Sequence, residues 1–211
     1  TSLDDIVARR IADLTAYQDA NYAARFNTLV ARVRASGNDV LAETVARSMY
    51  KLMAYKDEYE VGRLYSDGRF RAAFDAQFSG GSAKVQLSPP IFAKLDPATG
   101  RPKKYSFGPW IFNAFGLLAK MKGLRGTAFD IFGYSEERRE ERAAIGEYEA
   151  DVEKLLAGLN ADNAALANEI AALPLGVRGF GPVKAKAAEE AKAKAAELWA
   201  RWPGVAQRAA A

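Results

Sequence analysis

The chain has 211 residues, 49% of them hydrophobic and 11% aromatic, with a formal net charge of +4; this excludes wholesale disorder and suits one domain, or one domain with a helical appendage. It contains neither cysteine nor histidine, which excludes disulfides, cysteine-ligated zinc and iron–sulfur clusters within the chain, and every Ser-His or Cys-His nucleophile pair. An enzyme built from these residues would have to rely on Asp, Glu, Lys or Tyr. No run approaches the roughly 20 apolar residues of a membrane span. Thr1–Arg10 carries two acids and two arginines and has no apolar core, so it is no signal peptide. A cytoplasmic protein without membrane contact is expected. The start at Thr1 without Met suggests a piece of a longer polypeptide.

Ser2 can cap a helix whose first turn holds Asp4 and Asp5. Leu3, Val7, Ile11 and Leu14 recur at helical spacing, and Tyr22, Phe26, Leu29, Val30 and Val33 form a second phase. The two are one long helix or two joined near Asp19–Asn21. Gly37 fits a left-handed position after the helix, and Asn38 or Asp39 can cap the next. That helix is expected from Asp39 to Tyr65, with Leu41, Val45, Met49, Leu52 and Met53 inward. In its second half Tyr50, Tyr55, Tyr59 and Tyr65 alternate with charges, which suits an aromatic core stripe with ion pairs outside it.

Ser66-Asp67-Gly68 breaks the pattern, and Arg69–Phe78 places Phe70, Phe74 and Phe78 on one face of a short helix. After the link Ser79–Ser82, Lys84–Leu87 alternates like a strand. Asp96-Pro97-Ala98-Thr99-Gly100 reads as a turn, and Lys103–Phe107 can pair back as the second arm. Pro109 suits a first helical position, and the helix after it is apolar almost all round, which predicts a central core helix. Ser135 caps a further helix with Ile145, Tyr148, Val152 and Leu155 inward. Another starts at Asp162 or Asn163 and is expected to stop at Pro174. The Ala/Lys/Glu-rich segment 183–202 predicts a peripheral helix. The expected fold is mainly α: a single multi-helix domain over residues 1–211, with a small β-hairpin or extended arm near residues 83–107.

No Walker-type phosphate loop occurs. Gly179-Phe180-Gly181 has Lys184 where a dinucleotide fingerprint needs its third glycine, and no strand–helix unit surrounds it. Ser66-Asp67-Gly68 has the form of a diphosphate-binding GDG but lacks its first glycine. No catalytic, cofactor-binding or metal-binding residue is assigned. The sharper candidate is a docking surface: Arg101, Lys103 and Lys104 precede Phe107 and Trp110, and Lys120, Lys122 and Arg125 follow. Cations among aromatics could hold a nucleic acid. The Glu-rich run around Arg138, Arg139 and Arg142 would blunt a phosphate-attracting field, and nucleic acid is not the favoured partner.

The blocks DPATGRPKKYSFGPW and LLAKMKGLRGTAFDIFGYSEERREER resemble the C-terminal domain of fused bacterial indolepyruvate ferredoxin oxidoreductases. So do YQDANYAARF, MYKLMAYKDEYEVGRLY and LPLGVRGFGPVKAK. The resemblance runs in order over almost the whole chain. It implies a parent enzyme that oxidatively decarboxylates 2-oxo acids to acyl-CoA, with thiamine diphosphate, iron–sulfur clusters and CoA, and passes electrons to ferredoxin. This chain would then be a non-catalytic structural and interaction domain whose partners are other domains of the parent, with ferredoxin possible and a homo-oligomer implied. The alternative is a ligand- or ferredoxin-docking module that uses Arg101, Lys103, Lys104, Trp110, Lys122 and Arg125. The family usually reads FHLAPP at Val85–Pro90 and GFGHVK at Gly179–Lys184. Gln86 and Pro182 stand where those two histidines are expected.

Overall fold

The computed structural model describes residues 2–78, 84–87, 103–179 and 182–203. Among these the chain is mainly helical, with nine α-helices and one two-stranded antiparallel sheet. It divides into two compact units, one made of Thr1–Tyr55 with Arg139–Ala211 and the other of Lys56–Arg138. The link Ser79–Ser82, the turn Asp96–Gly100, Pro89-Pro90, Arg101, Phe180 and Gly181 lie outside the described residues.

The first unit is built on helix capping and aliphatic burial. Helix α1 (Leu3–Tyr17) starts with a reciprocal capping box: Asp5 N donates to Ser2 Oγ at 3.1 Å and Ser2 N donates to Asp5 Oδ2 at 3.0 Å. Asp19 accepts from Tyr22 N at 2.8 Å and starts α2 (Ala20–Arg34), so the first two apolar phases are separate helices. Gly37 takes φ 74°, and Asn38 caps α3 (Asp39–Met53) by accepting from Leu41 N at 2.9 Å. Helix α7 (Glu136–Gly158) begins in the last residues of the second unit and continues into the first; α8 (Ala164–Gly176) and α9 (Pro182–Ala200) complete it.

The core centres on α3, which buries Leu41, Ala42, Val45, Ala46, Met49 and Met53 against residues of α1, α2, α7 and α8. Two tyrosines satisfy carbonyls left over where α3 ends: Tyr17 donates to Tyr55 O and Tyr22 to Met53 O, each at 3.0 Å. Two more buried hydroxyls, Ser48 at 2.7 Å and Tyr148 at 2.8 Å, share Ala171 O. Arg25 grips Glu149 through two bonds of 2.5 and 2.7 Å, and one helical face along, Arg32 pairs with Glu153.

Helix α8 does not stop at Pro174 as expected. It runs through the proline to Gly176, and Lys51 Nζ donates to the carbonyls of Pro174, Leu175 and Val177 at 2.6, 3.2 and 2.5 Å. A cation at the last carbonyls of a helix adds a donor where i+4 N–H groups have run out and offsets the negative end of the dipole. The thin apolar face of α9 ends as predicted in buried Leu198, with Trp202 buried just beyond it. Trp202 lies against Gly158, where a Cβ would stand 3.2 Å from the indole nitrogen.

In the second unit, the helix expected from Asp39 to Tyr65 is broken. Helix α3 ends at Met53, and α4 (Glu58–Ser66) starts anew with Asp57 as its cap, accepting from Glu60 N at 2.8 Å. Gly68 at φ 85° then turns the chain into α5 (Arg69–Gln77). The predicted hairpin is present: β1 (Val85–Leu87) pairs antiparallel with β2 (Tyr105–Phe107), with Gln86 opposite Ser106. Helix α6 (Ile111–Lys120) starts two residues after Pro109, and a 3-10 turn (Met121–Leu124) follows it.

The expectation that α6 is the central core helix is overturned. It buries only Ile111 and Phe115, in a small cluster with Val85, while Trp110 and Leu117 are 61% and 62% exposed. Helix α6 instead lies close on α4. At Gly62 an added Cβ would come within 2.8 Å of Phe115 O and 2.9 Å of Leu118 Cβ, so the approach needs a residue without one. Stacking of Tyr65 on Phe115, with ring centroids 5.1 Å apart, extends the contact.

Candidate functional site

The second unit concentrates the chain's buried charge. Asp57, Glu60, Arg125 and Asp130 are each 6% exposed or less. Arg125 reaches Asp57 with two bonds, Nε to Oδ2 at 2.5 Å and Nη2 to Oδ1 at 3.0 Å, the fork geometry that favours arginine for buried pairs. Asp57 thus serves twice, as the cap of α4 and as the counter-ion of Arg125. Next to it, Glu60 holds Arg63 through bonds of 2.7 and 2.8 Å.

Asp130 is the second anchor. Its Oδ1 accepts from the Tyr59 hydroxyl at 3.1 Å, and its Oδ2 accepts from Gly126 N at 2.7 Å. The Arg125 guanidinium lies 5.6 Å from the centroid of the Tyr59 ring, and Phe132 meets that ring edge-on at 5.4 Å. Burial, reinforced by the Asp130 carboxylate, pushes the Tyr59 hydroxyl well above the ordinary tyrosine range, so it stays a proton donor. Glu58 is pushed up by burial, partly opposed by its own backbone hydrogen bond and by Arg138. Its Oε2 faces Arg138 Nε at 3.9 Å and has no hydrogen bond.

These contacts pin the segment 125–134 from beneath. Arg125, Asp130 and Gly133 turn inward, while Phe129 is 76%, Ile131 64% and Tyr134 64% exposed. Tyr134 closes the loop by donating to Ala128 O at 2.7 Å. Three large side chains are thus held outward on a loop tied to buried charge, so a partner meeting them would not have to order the loop.

The candidate docking residues separate. Arg125 is not on a surface: its side chain is 2% exposed and committed to Asp57. Lys122 is partly buried in the 3-10 turn, and Arg101 lies outside the described residues. Lys103 and Lys104 are exposed before β2, with Lys103 Nζ 6.0 Å from the Tyr105 ring centroid. Trp110 is exposed, its ring edge-on to Phe107 at 5.9 Å. The sequence reading missed Phe129, Ile131 and Tyr134 as surface groups and placed Leu117 in the core. The available signal was the spacing of Trp110, Leu117 and Lys120, at i, i+7 and i+10, on one face of a helix.

Each carboxylate oxygen of Asp57 and Asp130 already has a donor. Among the described residues no group of three or more acidic side chains could hold a metal ion. Asp67 accepts from Arg69 N at 3.0 Å in the turn between α4 and α5, with Gly68 at the start of α5, a geometry that serves the turn. No described helix is long and apolar enough to cross a membrane. The profile of a family of unknown function (DUF6537) matches residues 3–197. No curated protein and no solved structure matches the chain.

Proposed function

The chain belongs to this family of unknown function, DUF6537, and from that premise we propose that it is a non-catalytic docking domain of a larger cytoplasmic enzyme, a thiamine-diphosphate-dependent 2-oxoacid:ferredoxin oxidoreductase of the indolepyruvate type. The single observation that carries the docking reading is the loop 125–134. Its charges are spent inward on Asp57 and Tyr59, and its large apolar groups face out. The parent identity rests on the ordered sequence blocks. The thiamine diphosphate and iron–sulfur clusters of such a parent do not fit this chain, which has no cysteine and whose Asp67 and Gly68 form a turn. No step of that chemistry runs through these residues. The domain's work is to pack on the catalytic domains or on the other protomer of a homo-oligomer.

Deletion of this domain from the full-length polypeptide tests the proposal. The expected result is loss of assembly, read by sedimentation, with loss of 2-oxo acid-dependent ferredoxin reduction. Full assembly and full turnover after deletion would remove it.

A further inference from the structure

The net positive charge of the chain is carried by one unit. Lys56–Arg138 contains 13 Lys or Arg and 9 Asp or Glu, a surplus of four that equals the +4 of the whole chain and leaves the other unit at zero. Between Asp75 and Asp130 the asymmetry sharpens to eight cations against the single acid Asp96. Burial sharpens it further, because Asp57, Glu60 and Asp130 are withdrawn from the surface while Arg125 is the one buried cation of the described unit.

A ridge of exposed cations and apolar anchors, resting on half-buried rings, displays this charge. Lys103 lies over Tyr105. Tyr105 and Phe107 are half-buried on the inward side of β2, where Phe107 packs on the cluster of Val85, Ile111 and Phe115, and Phe107 touches Trp110 edge-on. From Trp110 the exposed face of α6 continues through Asn113 and Leu117 to Lys120, a span of about 15 Å at 1.5 Å per residue. Lys103, Lys104 and Lys120 make no ion pair among the described residues. An exposed tryptophan and leucine one helical face apart, with lysines at both ends, have the composition of an interface centre inside a charged rim.

We infer that this ridge binds an acidic protein surface, one in which carboxylates surround an apolar pocket that takes Trp110 and Leu117. The charge selects an anionic partner. The apolar anchors select protein over nucleic acid, because leucine cannot stack on a base and the three lysines lack the fork that grips phosphate. The inference deepens the docking reading above by giving one of the domain's surfaces a partner of defined chemistry.

The test uses the full chain and three fluorescein-labelled probes: a random poly(Glu,Tyr) copolymer, poly-Glu and oligothymidylate, followed by anisotropy at low salt. Poly(Glu,Tyr) should bind tightest. Trp110→Ala with Leu117→Ala should weaken it at least tenfold toward the poly-Glu value. Lys103→Glu, Lys104→Glu and Lys120→Glu together should abolish binding of both polymers. Circular dichroism should be unchanged, because these side chains are exposed, and Lys56→Glu, outside the ridge, should leave binding at the parent value. Absence of binding, binding that the ridge variants leave intact, or tighter binding of oligothymidylate would each overturn the inference. Because the probes meet this chain alone, a failure here with a positive deletion result in the full-length enzyme would reject the acidic partner and leave the docking domain standing.

Discussion

Replacing Asp57 with alanine removes a helix cap and a buried counter-ion in one step. Asp57 and Arg125 have side-chain exposures of 3% and 2%, so solvent does not screen the loss. Breaking such a pair while one charge stays buried costs about 3–5 kcal/mol, and losing an N-cap adds about 1 kcal/mol. Asp57→Asn separates the two terms, since asparagine caps as well as aspartate but carries no charge. It should cost about 3 kcal/mol. Amide hydrogen exchange resolved to peptides is the assay, because it reads each unit separately. In Asp57→Asn, peptides of Glu58–Ser66 should exchange roughly a hundredfold faster, which is about 3 kcal/mol at 1.4 kcal/mol per tenfold. Peptides of Asp39–Met53 should change far less. Asp57→Ala combined with Arg125→Met should recover part of the protection, because no charge is then stranded. Exchange in Glu58–Ser66 that rises less than threefold in Asp57→Ala would refute the argument that this pair holds the unit together.

Three further perturbations follow from the same contacts. Gly62→Ala should cost about 1–3 kcal/mol in urea unfolding, because the new methyl meets the α6 backbone and cannot be relieved by a rotamer change; an unchanged midpoint would show that α4 and α6 do not lie so close. Lys51→Met should cost about 1 kcal/mol and speed exchange at the end of α8, because three carbonyls lose their common donor; unaltered exchange there would contradict the capping role. Glu58 has a raised folded pKa, so the folded state binds the extra proton. Stability from this group is fully present below its unfolded value of about 4.3 and is lost as pH rises through the folded value. Glu58→Gln should therefore flatten the decline of stability with rising pH above that point, and a pH profile parallel to the parent chain's would count against it.

Local chemistry was legible where one residue could settle it. Ser2 and Ser135 mark helix starts by side chains that reach the next turn, Asp19 and Asn38 were each one of two readings that the structure decides, and β1 and β2 show in the alternation of Lys84–Leu87 and Lys103–Phe107. The break between α3 and α4 was not legible. Tyr55 and Tyr59 keep an i, i+4 spacing across it, and the aspartate that restarts the helix is held by an arginine 68 residues away. For the same reason Arg125 looked like a surface cation in sequence and is a core one. The placement of α6 was hidden by its pattern: it is apolar almost all round, as a buried helix is, yet it buries only Ile111 and Phe115 and leaves Leu117 exposed. Pro174 misled because a proline in the last turn removes a single helical donor, the one to Ile170 O, and α8 runs only two residues beyond it.

The proposal that this chain docks on other domains of a larger enzyme is tested most directly by supplying it in trans. The full-length polypeptide is truncated before this domain, and the separate chain is added back while sedimentation and 2-oxo acid-dependent ferredoxin reduction are followed together. The account predicts co-sedimentation and restored turnover, both lost when Phe129, Ile131 and Tyr134 are changed to serine and retained when Arg63 is changed to lysine. A chain that fails to associate with the truncated enzyme, or a reading frame that encodes no other domain, would contradict it.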